Sequence, residues 1–232
     1  MTSRPLRLCL ALLLGILLAP AHAQGAGVTL GFVGEIDAPV LDAPPDASGY
    51  DHVALRTFNG VDLALASLCC EDDPEPRLRG DLPDLRGSHL LHPVTSEELW
   101  PCPIQATSVV GFLPVSLWVV GTPAVLELAS GPLPAQPGPG YRQLLLVFVD
   151  GDTRLTGLCL ENGTGLQLDA YLRPGWNLLT SELIGTAAQE LVLLRNTSTA
   201  DLEAAAWYWR DVSGQASPTG PTPRVEPAPQ RP

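Results

Sequence analysis

Residues 141–160, YRQLLLVFVDGDTRLTGLCL, read as two β-strands joined by a tight turn. Asp150-Gly151 is a hairpin-turn pair, and aliphatic residues crowd the segments on either side of it. The first strand, 141–149, is apolar on both faces. Leu145, Val147 and Val149 point one way; Leu144, Leu146 and Phe148 point the other. An antiparallel sheet with one face in water alternates apolar and polar residues, so a doubly apolar strand needs a cover on each side. Segments 115–120 and 191–194 share this character.

Outward from this hairpin, period-two alternation recurs at 28–32, 53–56, 61–65, 105–112, 114–121, 123–129, 165–172, 175–180, 190–196 and 203–212. Asn59-Gly60, Asn162-Gly163 and Pro174-Gly175 punctuate the strands. No helical period is sustained. Thr95 and Glu98 match a capping box and predict one helical turn. Many short strands with Gly and Pro between them predict an all-β antiparallel sandwich spanning 24–212. The long connection 71–101, held down through its flanking cysteines, is the expected cover for the second apolar face; a partner subunit is the alternative. Residues 131–140 form a Pro/Gly loop, and 213–232, with six prolines and no apolar period, read as a disordered tail.

The N-terminus sets the compartment. Arg4 and Arg7 precede an apolar run, Leu8 to Leu18, and Ala21-His22-Ala23 offers a small-x-small cleavage site. Residues 1–23 therefore read as a secretory signal peptide, and a secreted or periplasmic location is expected. The run is shorter than the roughly 20 residues a membrane span needs, so no span is expected. Its loss would remove two arginines and no acid from a chain whose net charge is already −12. Such a surface repels nucleic acid. All 13 basic residues are arginine, which removes lysine-based covalent catalysis and, with the abundance of Ala, Gly and Pro, points to a bacterial source.

Cys69, Cys70, Cys102 and Cys159 follow the leader. In an oxidising compartment they predict two disulfides, or one with a free pair; the vicinal cysteines suit separate reach to Cys102 and Cys159, with the order left open. His89 and His92 with Cys69, Cys70 and Cys102 have zinc-ligand chemistry but no zinc spacing. Asp150 and Asp152, with Glu161 and Asn162, hold calcium-type oxygens without a calcium-loop pattern. Neither a metal nor any other cofactor is expected. The G-x-S-x-G, H-E-x-x-H and Gly-rich phosphate motifs are absent. Trp207 and Trp209 share one strand face with Glu203 and Asp211, a candidate platform for a sugar ring or a cation if that face is outward; core packing is the competing reading.

Val147-Phe-Val-Asp150, Gly157-Leu-Cys159 and Leu172-Arg-Pro-Gly175-Trp176-Asn177 together resemble a strand run of uncharacterised exported bacterial β-sandwich proteins, in which D, then G-x-C, then L-x-x-G-W-N recurs. That resemblance implies a fold type and no activity. The expected function is a non-enzymatic binding or interaction module of the bacterial envelope or extracellular space, with a glycan or an envelope protein as partner. Its recognition surface is expected on 71–101, on 131–140 or at Trp207 and Trp209. A polysaccharide hydrolase with paired carboxylates and a passive structural protein are the alternatives.

Overall fold

The computed structural model describes residues 21–23, 26–44, 47, 52–69, 76–97, 99–100, 103–131, 134, 138–161, 164–186 and 189–213. The chain is built almost wholly of strands. In order these are β1 (Ala21–Ala23), β2 (Val28–Leu30), β3 (Gly34–Leu41), β4 (Val53–Thr57), β5 (Asp62–Cys69), β6 (Arg77–Leu82), β7 (His92–Pro93) and β8 (Gln105–Ala106). There follow β9 (Gly111–Val119), β10 (Ala124–Ser130), β11 (Arg142–Val149), β12 (Thr153–Glu161), β13 (Thr164–Leu172), β14 (Gly175–Thr186) and β15 (Gln189–Asn196). A short helix, α1 (Thr199–Glu203), precedes β16 (Ala205–Asp211).

The all-β expectation holds, but the architecture is a closed barrel with an added layer and not a sandwich. Pairing runs β3–β6–β5–β4–β9–β11–β10–β16 and returns to β3, closing a ring of eight strands. Closure depends on β16. It pairs with β10 along its whole length on one edge and, in parallel, with β3 on the other through Trp207↔Val40 and Tyr208↔Leu41. A sandwich would leave both edges open, and closure removes them. Inside the ring, Ile36, Val53, Leu78, Leu113, Leu126, Leu146, Phe148 and Trp207 form one core. Phe148 and Trp176 meet edge to face at 5.4 Å, and the Trp176 indole N–H donates to Pro83 O at 2.9 Å.

The doubly apolar reading of 141–149 is realised by two cores. Leu144, Leu146 and Phe148 of β11 face the barrel interior, while Val147 and Val149 enter a second core with Leu145 at its margin. The second core is wrapped by a layer that leaves the barrel at β11 and runs β14–β15–β13–β12–β8. Its far end returns beside the start of β9, where Thr153 Oγ1 donates to Ser108 O at 2.9 Å and Asp150 Oδ1 accepts the Gly111 N–H at 2.7 Å. The cover over β11 is therefore mainly the β12–β13 hairpin. The long connection 71–101 contributes Val94, Leu99 and Trp100 to it, but its first part carries β6, a strand of the barrel wall.

Other differences have local causes. β9 continues through Pro114, where a break between two strands was expected. Pro114 faces Val147 at the junction where β9 hands its edge from β11 to β10. Residues 95–97 form turns and no helix; Leu99 and Trp100 just beyond are drawn into the second core. The helix lies instead at 199–203, between the expected strands 190–196 and 203–212, and takes the first residue of the latter. Ser198 caps it, with Asp201 answering in a reciprocal capping box. Gly175 has φ +102°, and a Cβ there would meet Gly31 O at 2.5 Å, so the turn before β14 requires glycine.

Residues 1–20, Cys70, Cys102, half of 131–140 and the tail beyond Ser213 lie outside the described residues, so the expectations placed there have no structural counterpart. The expected cleavage tripeptide, Ala21–Ala23, pairs with β2 as an edge strand.

A candidate ligand cavity in the second core

The second core is incompletely filled. Between β11, β14 and β15 on one side and β9, β12 and β13 on the other lies a cavity of about 430 Å³. Its floor is made of buried side chains: Phe112 from β9, Val147 from β11, Leu166 from β13, Leu179 from β14 and Leu194 from β15. The rim is half-buried and open to solvent: Leu99, Trp100, Pro114, Leu145, Cys159, Gly165 and Val192. Most of the strand liners arrive by alternation, while Leu99 and Trp100 come from the turn region before β8. Leu145 and Val147, Leu166 and Leu168, and Val192 and Leu194 are i, i+2 pairs on the concave face of the layer.

The lining carries no charged side chain. Trp100 supplies the one indole, and its N–H is already engaged, donating to Val94 O at 2.7 Å. That bond, together with a tilted contact to Phe112 at 5.6 Å and 44°, fixes the aromatic wall. Cys159 is disulfide-bonded. The site thus offers dispersion and burial and little else. A polar ligand group placed there would lose its water without gaining a hydrogen bond, at a cost of a few kcal/mol.

Outside the mouth the apolar surface continues. Leu160 of β12, Gly165 of β13 and Leu191 of β15 sit side by side in the strand register. A Cβ on Gly165 would meet Leu160 Cδ2 at 2.5 Å and Leu191 Cδ1 at 2.8 Å, so the two leucines close over the glycine on the convex face. Leu158 and Leu160 are 65% and 72% exposed.

Trp207 and Trp209 do not make an outward platform. Trp207 is 2% exposed within the barrel core, and its N–H donates to Ala26 O at 2.8 Å. Trp209 is half-buried beside Asp42 and Asp211 at a shallow pocket of about 410 Å³. The face shared by the two indoles points inward because Ala205 and Trp207 complete the barrel interior. Among the described residues, no three His, Cys, Asp or Glu side chains are placed to hold a metal. His92 packs against Phe58 at 5.2 Å. Asp150 is bonded to Gly111, and Asp152 accepts the Tyr171 hydroxyl at 2.9 Å.

The acids that converge are tied to arginine. Asp201, 1% exposed, accepts from Arg195 Nη1 at 2.7 Å and from the Ser198 hydroxyl at 2.6 Å. Glu182 accepts from Arg142 at 3.2 Å and from Arg195 at 3.4 Å. Burial alone would raise the Asp201 pKa, but the bonds from Arg195 and Ser198 outweigh it and hold the carboxyl well below the ordinary range. This network docks α1 onto β14 and β15. A second, polar groove of about 470 Å³ is bounded by Glu35, His52, Ser67, Arg79 and Asp81 on the outside of the barrel. Ser67 and His52 are brought together there by the β4–β5 register, a proximity not read from the sequence. Among the described residues no hydrogen bond joins the Ser67 hydroxyl to the His52 ring, so the geometry is not that of an activated nucleophile.

The fold and cavity define a β-barrel carrying a second apolar chamber on its wall. No known protein family, curated protein or solved structure matches this chain.

Proposed function

We propose that the protein is an exported, non-enzymatic binding module of the bacterial envelope or extracellular space, and that the cavity of the second core is its ligand site. The leader-like start supports export. The cavity carries the binding reading: about 430 Å³ is left open in an interior that is otherwise close-packed, with a buried floor and a solvent-open rim. Its size and lining fall in the range of small-molecule pockets. Of the partners expected from the sequence, a glycan suits this site poorly, because sugar hydroxyls need hydrogen bonds that the lining does not supply.

Titration with the uncharged apolar dye N-phenyl-1-naphthylamine tests the reading. One saturable site per chain is expected. It is lost on filling the chamber, either at the floor with Leu179→Trp or, with less demand on the fold, at the rim with Val192→Trp. Uptake that never saturates, or that survives both substitutions in folded protein, overturns it.

A further inference from the structure

We propose that the ligand is an acyl chain, held by its hydrocarbon portion while its polar head stays at the rim. This rests on the cavity being the binding site. Three observations carry it. First, the floor is aliphatic apart from Phe112, and the only indole has its N–H bonded within the protein. No lining side chain is charged and most of the lining is apolar, so each methylene that enters is favourable. Second, the cavity is open along a half-buried rim, so a ligand with one apolar and one polar end can leave its head in water. A ligand polar throughout cannot be accommodated, and one apolar throughout would not use the opening.

Third, the apolar surface does not stop at the mouth. Cys159, on the rim, lies between Leu158 and Leu160, whose side chains stand on the convex face at 65% and 72% exposure. With Leu191 over Gly165 they form an exposed aliphatic patch on the face of the layer opposite the chamber, next to its Cys159 and Gly165 rim. A hydrocarbon chain reaching that rim meets apolar surface on the protein before it enters. The chain's −12 net charge disfavours anionic bilayers as the source, which leaves zwitterionic lipid or the free acid.

Displacement of the bound dye by saturated fatty acids of increasing length, from eight carbons upward, provides the test. Affinity should rise about fourfold per added methylene while the chain is still entering and then level off when the cavity is full. Adsorption to the outer surface would keep rising and would not displace the dye. Fatty acids brominated along the chain should quench Trp100, and unbrominated acids of the same length should displace the dye without that quenching. Repeating the quenching with zwitterionic vesicles made of brominated phospholipid separates the two sources. Quenching in either arm supports an acyl ligand, and the arm that quenches identifies its origin. Dye that binds saturably but yields to no chain length, with no quenching from either source, overturns the acyl assignment and leaves the cavity a site for another apolar class. Failure of the dye itself removes the site.

Discussion

At the scale of single residues, the position that most depends on its surroundings is Asp201. Its carboxylate is buried, bonded to Arg195, Ser198 and Thr180, and approached by Arg142 at 3.6 Å. Removing one partner of a buried charge pair typically costs 3–5 kcal/mol; here both arginines reach solvent, so Asp201→Ala should cost about 2 kcal/mol, read as a lowered denaturant midpoint with unchanged slope. The pH response has a definite sign. The folded pKa lies below the unfolded value of 3.8, so the unfolded state binds the proton first on acidification. The contribution is complete above that value and is lost progressively as the pH falls from it through the depressed folded pKa. Stability of the wild type relative to Asp201→Ala should therefore be flat from neutrality to about pH 5 and shrink steadily below pH 4. A gap that instead closes near neutrality would mean that Asp201 is not held by this network. The same residue shows what a sequence can conceal. Ser198 and Asp201 form a capping pattern as plain as that of Thr95 and Glu98, yet only the former heads a helix. Ser198 sits where β15 has ended and arginines wait for its carboxylate partner, whereas Leu99 and Trp100 are worth more in the second core than in a helical turn.

At the scale of elements, alternation made most of the strands legible, and the doubly apolar β11 announced a second packed layer. β3 and β6 were hidden because their outward residues are Asp, Glu and Arg and because each carries a Pro or Gly. Their cross-strand partners, such as Asp37 with Arg77 at 2.8 Å, are visible only once paired. The cavity was hidden for a related reason. Each liner from Leu99 to Leu194 reads locally as core, and only the return of β8 to β12 brings the two ends of that span around one space. That return also bears on the cysteines. Gln105 pairs with Thr156 and Ala106 with Leu155. Cys102 precedes Gln105 by three places in the sequence and Cys159 follows Thr156 by three, so Cys102 is the partner we expect for the bonded Cys159. Peptide mapping without reductant should yield one fragment joining Cys102 to Cys159; a fragment joining Cys159 to Cys69 or Cys70 would refute the register argument. On the chain-entropy estimate a loop of this length contributes about 4 kcal/mol, so Cys159→Ser should lower stability by up to that amount. The two-residue β8, which has few hydrogen bonds of its own, should be the first element to lose amide protection.

At the scale of the whole molecule, the decisive feature is that two cores share one wall. Phe148 faces only the barrel interior, and Val147 beside it faces only the second chamber, but both stand on β11. β14 repeats the arrangement, with Leu178 in the first core and Leu179 in the second. A strand cannot leave one core and stay in the other, because its backbone ladder to β9 and β14 is common to both. The added layer is therefore not a separable domain, although its packing could be drawn as one. Phe148→Ala, which empties space in the barrel alone, should cost about 3–5 kcal/mol. Native-state hydrogen exchange resolves where that loss is felt. If the shared wall couples the cores, the slowest amides of β13, which touch only the second core, should lose as much protection as those of β6 in the barrel wall. If the layers were independent, β6 would exchange faster and β13 would keep its wild-type protection. The coupling also reaches the ligand. A chain occupying the chamber binds only the folded state, so it should raise the protection of β6 across the barrel by the same free energy as that of β13, to the extent set by its concentration over its Kd.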